Sequence, residues 1–345
     1  MPSSKTTNLD LNVGYAETDR TQSWIAGIDD NFRNLDNSLG TVFKAIESAG
    51  ITLSRNVALE DEWSTGAYII NTSFLSAFKN GAAVRFGSYV YVFIGSENST
   101  GEVYKFNIVK YTLVKLDIKL PYGFTSFRAE QYQGKIFLLG GCINQIASNL
   151  FYIFDIATEE LESPEETLVM SVSSCGSCIV DEYIYLFGGI NEANIKLNTI
   201  LKFNTKTYMN SILSVTLPEQ VTGTAACADG TNIYLFGGNA STKIYNFDPI
   251  NNTIIELSKT LPVTIDGHAS ILLNNNIYIF GGRSQDNLLA TVYKFDLNTE
   301  LLSLMSFELP TALADFAVAT TDSYGYLFGG ENETGISSRI IRFVP

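Results

Sequence analysis

The chain has 345 residues, a formal charge of −14, 17% charged side chains and 12% aromatics. An acidic surface repels phosphate backbones and anionic headgroups, so nucleic acid and membrane lipid are excluded as expected partners. No stretch approaches the ~18 consecutive apolar residues of a membrane helix. Met1 to Ser23 also lacks the basic start and apolar core of a secretion signal, so synthesis in the cytoplasm is expected.

Residues 1–50 read as a helical attachment segment, followed by a linker over 51–66. Asp19-Arg-Thr-Gln22 forms a capping box ahead of an apolar series. That series is Ile25, Ile28, Phe32, Leu35, Leu39, Val42 and Ile46, spaced 3-4-3-4-3-4. The spacing predicts a coiled-coil-like helix over about 22–48, with a seam ~33 Å long at ~1.5 Å per residue. Isoleucine at both seam positions favours more than two strands, so a homotrimer is expected. The alternative is one amphipathic helix packed against its own C-terminal domain. Gly27 and Gly40 favour that alternative, because each weakens an isolated helix by ~1 kcal/mol.

The stretch Thr6-Thr-Asn-Leu-Asp-Leu11, with Ile28-Asp-Asp-Asn-Phe-Arg-Asn-Leu-Asp36 after it, resembles the start of bacteriophage tail-fibre and baseplate receptor-binding proteins. The resemblance covers about thirty residues. It implies a virion protein whose N-terminal region trimerises and docks onto other tail or baseplate proteins. The C-terminal domain would then meet a glycan or protein on the host cell surface.

From residue 67 onward one pattern recurs six times: an apolar strand ending in glycine, a polar loop, and a strand of Tyr-x-Phe-Asn/Asp type. The first strands are Tyr91-Val-Phe-Ile-Gly95, Ile136-Phe-Leu-Leu-Gly-Gly141, Tyr185-Leu-Phe-Gly-Gly189, Tyr234-Leu-Phe-Gly-Gly238, Tyr278-Ile-Phe-Gly-Gly282 and Tyr326-Leu-Phe-Gly-Gly330. Their last glycines lie 46, 48, 49, 44 and 48 residues apart. The partners run from Tyr104-Lys-Phe-Asn107 to Ile341-Arg-Phe-Val344, several leading into Asx-rich turns such as Asp248-Pro-Ile-Asn251. Each unit reads as a four-stranded meander that cannot bury both faces alone, so the units must pack around an axis.

A glycine pair after an apolar strand, at a period near 50 residues, resembles the kelch-repeat family over 67–345. The resemblance implies an all-β, six-bladed kelch-type β-propeller carrying the N-terminal α-helical segment. Two departures stand out: Ile94 replaces the first glycine of the first pair, and the only tryptophans are Trp24 and Trp63. The last repeat ends after its third strand, and Ala67-Tyr-Ile-Ile-Asn71 is strand-like. Supplying 67–71 as the outer strand of the last blade would close the ring.

Little in the sequence points to catalysis, and no cofactor or metal is expected. The copper chemistry of some kelch propellers needs two imidazoles, whereas this chain has one, His268. His268 follows Asp266-Gly267 at the start of an innermost strand, a position that is structural in the kelch family. Cys175-Gly-Ser-Cys178 has redox or zinc spacing, but no second pair accompanies it; buried thiols are the plainer reading. The expectation is a protein that is not an enzyme. The rival readings are a cytoplasmic kelch adaptor bridging proteins and a metal-free kelch enzyme acting on sugars.

In an up-and-down meander the loops after the second and fourth strands emerge on one face. The candidate ligand-binding residues on those loops are Tyr122, Phe124, Asn144, Glu192, Asn239, Asp266, Arg283, Asp286, Asp315 and Glu333. Amides, acids and aromatics on loops above a rigid ring suit sugar hydroxyls or a peptide.

Overall fold

The computed structural model describes residues 65–239 and 241–345. The helix expected over 22–48, its seam from Ile25 to Ile46 and most of the 51–66 linker lie outside them.

Among the described residues every regular element is a β-strand, and six four-stranded antiparallel sheets carry the repeats. The first sheet is Ala82–Phe86, Tyr89–Ile94, Thr100–Asn107 and Thr112–Tyr122. The second is Arg128–Tyr132, Lys135–Leu139, Phe151–Asp155 and Glu160–Glu162; the third is Gly176–Val180, Tyr183–Phe187, Ile200–Asn204 and Asn210–Ile212. The fourth is Ala225–Ala228, Ile233–Phe236, Lys243–Asp248 and Thr253–Thr260. The fifth is Ala269–Leu273, Asn276–Phe280, Val292–Asp296 and Leu301–Leu304. In the sixth, Ala317–Thr320, Gly325–Phe328 and Arg339–Val344 are joined by Gly66–Ser73. Gly66–Ser73 lies antiparallel to Arg339–Val344, Ile69 opposite Ile341, so the two ends of the described chain share one sheet. Each innermost strand touches the next around a closed ring, the sixth meeting the first.

The Tyr-x-Phe strands explain why neighbouring sheets stack. Their phenylalanines, Phe106, Phe154, Phe203, Phe247, Phe295 and Phe343, are all fully buried. Each packs on a second-strand phenylalanine of the preceding sheet: Phe93–Phe154 at 5.5 Å, Phe137–Phe203 at 5.8 Å, Phe187–Phe247 at 5.6 Å, Phe236–Phe295 at 5.6 Å and Phe280–Phe343 at 4.8 Å. Phe328–Phe106 at 5.7 Å closes the circle. All six are edge-to-face pairs, the geometry that sets a positive ring edge against a negative ring face. The core is accordingly six apolar clusters, one per junction between sheets.

The glycine pairs sit where these junctions are tightest. The second glycine of five pairs donates its N–H to a carbonyl of the next sheet's entering loop: Gly141 to Val172, Gly189 to Val221, Gly238 to Ile265, Gly282 to Leu313 and Gly330 to Phe78, all at 2.8–2.9 Å. Both glycines of each pair have positive φ. In the first sheet the second strand runs one residue longer, Ile94 pairing with Glu102. Gly95 then crowds the Phe124 carbonyl, and the N–H of Ser96 makes the equivalent bond at 3.1 Å. That slip accommodates the isoleucine.

The turns between third and fourth strands are Asx-turns. The Oδ1 atoms of Asn107, Asp155, Asn204, Asp248 and Asp296 each accept backbone N–H bonds from residues two and three further on.

Candidate functional site

The six innermost strands enclose a central channel of about 550 Å³. Small side chains line most of it: Ala82, Ala129, Gly176, Ala225, Ala269 and Ala317 among them. One wall differs. Glu130 occupies the register position held elsewhere by Val84, Cys178, Cys227, Ile271 and Ala319. Its Oε1 accepts the Ser177 hydroxyl at 2.6 Å, and burial raises its pKa to about 7. Arg128, two residues earlier, donates Nε–H to the Cys175 carbonyl.

Around the mouth, the residue two before each innermost strand has positive φ: Asn80, Ser126, Ser174, Gly223, Gly267 and Asp315. Backbone hydrogen bonds link them around the rim: Ser174 donates to Ser126 at 3.3 Å, and Gly223 to Ser174, Asp315 to Gly267 and Asn80 to Asp315 at 2.8 Å. This girdle meets the loops after the second strands. Phe124–Thr125 pairs with Cys142–Ile143, and single bridges join Ser173 to Ile190, Asp266 to Arg283 and Ala314 to Glu331. Loops distant in sequence thus share one rigid rim.

Charge is concentrated on one side of it. Arg283 Nη2 lies 2.5 Å from Asp315 Oδ2 and 2.7 Å from Glu331 Oε2, which also takes Lys79 Nζ at 2.7 Å. The Lys79 hydrogen bond holds Glu331 below the usual carboxylate range. Asp266 is pushed up, first by burial and then by Asp315. Three of the residues picked out in sequence, Asp266, Arg283 and Asp315, therefore form one cluster, with Asp286 close enough to add to the shift at Asp266. Tyr122 and Asn144 meet around Gly123, whose carbonyl accepts the Asn144 N–H at 3.1 Å. Glu192 and Glu333 are exposed on separate loop tips, and Asn239 is half-buried.

Phe124 is a correction. It is fully buried, stacked on Phe127 at 4.4 Å and edge-on to Tyr152 at 5.2 Å. Its backbone sits on the rim while its ring belongs to the core, so it cannot touch a ligand. Exposed apolar side chains are instead Tyr122 at 57%, Ile146 at 60%, Ile195 at 54% and Ile336 at 50%, carried on or beside the rim loops.

His268 is buried, its Nε2 2.9 Å from the Phe236 carbonyl, and burial lowers its pKa to about 4. A carbonyl only accepts, so Nε2 carries the proton and the neutral ring is structural. The four cysteines are free thiols. Burial raises Cys175, Cys178 and Cys227, the last to about 12, which leaves them un-ionised and weak nucleophiles. The acids missed in sequence are informative: Glu130 hides inside an innermost strand, and its signal is a carboxylate where other repeats carry small or apolar residues.

Residues 62–238 and 174–343 match the family model of the KLHDC2/KLHL20/DRC7 Kelch-repeats domain. A solved structure titled "Structure of YjhT" is similar at a TM-score of 0.67 and 14% identity, covering 78% of this chain and 96% of that one; at this identity the likeness concerns the fold. No curated protein matches the chain.

Proposed function

The chain belongs to the kelch-repeat family, and on that premise we propose that it is a six-bladed β-propeller that binds a macromolecular partner on its rim face and does no chemistry on it. One observation carries this reading. The rim joins exposed apolar tips (Tyr122, Ile146, Ile195, Ile336) to acidic ones (Glu192, Asp286, Glu333) on a backbone that interstrand hydrogen bonds hold rigid. Pre-ordered loops lose little entropy on binding, which favours recognition.

The finer reading is a phage or phage-tail-like tail-fibre or baseplate protein. Its propeller would bind a host cell-surface glycan or protein, and residues 1–50 would trimerise it and attach it to the tail. The residues supporting this are Thr6 to Leu11 and Ile28 to Asp36. Light scattering tests it: the full chain should weigh three times 37.9 kDa and revert to a monomer when residues 1–50 are removed. Binding of the purified protein to candidate host cells should fall at least tenfold in an Ile146→Asp, Ile336→Asp variant of unchanged melting temperature.

A second reading, a kelch adaptor between proteins, is favoured by the family match. A monomeric full chain that binds no bacterial surface would support it over the phage reading.

A further inference from the structure

We propose that the central channel is a receptor site for a small primary alkylammonium ion, which ion-pairs with Glu130. The proposal is independent of which partner occupies the rim.

Glu130 is the one acid among the described residues lining the channel. Its carboxylate has a single side-chain donor, Ser177 at 2.6 Å. Such a group is poorly compensated for the water it has lost, and a cation is what would complete it. The nearby Arg128 donates Nε–H to the Cys175 carbonyl, and its charge offsets only part of the effect of burial on Glu130. Arg85, also on the channel wall, is paired with Asp322 at 3.0 Å. The remaining neighbours add no charge: Cys178 and Cys227 are thiols held neutral by burial, and His268 is neutral above about pH 4.

The rest of the lumen selects the ligand's body. Ala129, Gly176, Ala225, Ala226 and Ile271 accept the methylenes of a short alkyl chain, while Thr224 and Ser270 add hydroxyls to the lumen. The volume, about 550 Å³, far exceeds that of a four-carbon amine. Entry is favoured as well: Asp266, Asp286, Asp315 and Glu331 outnumber Lys79, Lys196 and Arg283 at the mouth, and the whole chain is acidic at −14.

Binding must displace the proton that Glu130 holds at neutral pH and below. With its pKa at about 7, affinity for a permanent cation should weaken about tenfold from pH 8 to pH 6 and about a hundredfold from pH 8 to pH 5. The probe is n-butylammonium chloride, protonated throughout that range, titrated into the full chain by calorimetry at pH 5, 6 and 8. The expected result is saturable binding at pH 8 that follows this pH dependence, proton release at pH 6, and no binding of n-butanol. Glu130→Gln should abolish it, and Glu130→Asp should weaken it. Binding that n-butanol matches, a flat pH profile, or no heat up to about 20 mM amine overturns the proposal. The wild-type pH profile and the butanol comparison decide the matter even if Glu130→Gln fails to fold.

Discussion

The backbone N–H of Gly282 donates to the carbonyl of Leu313 at 2.8 Å, from the end of a second strand in the fifth sheet into the loop that opens the sixth. That one bond explains the glycine pair. The chain must turn through positive φ at Gly281 and Gly282, and it must do so against another backbone.

Gly281→Ala should therefore cost more than a left-handed conformation alone. At φ 50° its Cβ would overlap the Leu313 carbonyl oxygen. Gly134 has φ 80° but opens onto empty space. Gly134→Ala should lose about 1 kcal/mol, and Gly281→Ala about 3 kcal/mol or more, because the junction must open to admit the methyl. Urea denaturation of both variants checks the difference, and equal losses would mean that crowding is not the reason for the pair.

Closure of the ring predicts equality of another kind. Phe106 packs on Phe328 at the closing junction as Phe247 packs on Phe187 at an interior one. Phe106→Ala and Phe247→Ala should each cost about 3–5 kcal/mol. A much smaller loss at Phe106 would show that the sixth sheet does not hold the first.

Two groups on the channel wall should give opposed pH dependences. Glu130 is raised to about 7 in the folded chain, so between about pH 4.5 and 7 the unfolded chain ionises first and stability falls as pH rises. His268 is lowered to about 4, so between about pH 4 and 6.5 the unfolded chain takes up the proton first and stability rises with pH. Each effect is on the order of 3 kcal/mol, and together they nearly cancel. Relative to wild type, His268→Gln should lose stability as pH rises through 4–6.5, and Glu130→Gln should gain it through 4.5–7. Melts of both variants at half-unit intervals test the signs.

What was legible in the sequence is what is local. The glycine pairs, the Tyr-x-Phe strands and the Asx-turns each need only a few neighbouring residues to specify their conformation, so the repeat shows through the changes around it. The site is different, because it is made by separate loops, the most distant of them, at Lys79 and Glu331, 252 residues apart. Asp266, Arg283 and Asp315 were in view from the choice of face. Lys79, which completes their network through Glu331, precedes the first repeat and carries no local mark. Phe124 was misread for the same reason: its loop is on the rim, but the tertiary fold turns its ring onto Phe127. Glu130 was passed over because a lone acid in a strand reads as solvent-facing until the strand is known to line a channel.

The rim cluster can be separated into strong and weak links. Arg283 faces two carboxylates from the loops flanking the sixth sheet's inner hairpin, with only a quarter of its side chain exposed. Removing it leaves Asp315, Glu331 and Asp266 to repel one another across a small gap. Lys79 and Glu331 are each about a third exposed, so solvent screens their pair. Arg283→Gln should thus cost about 1–2 kcal/mol and Lys79→Gln less than ~0.5 kcal/mol. About 1 M NaCl, which shortens the screening length to ~3 Å, should recover much of the Arg283→Gln loss because that loss is mostly repulsion. Melting curves at low and high salt measure both. A salt-independent loss at Arg283 would assign its role to packing of the guanidinium stem instead of to charge.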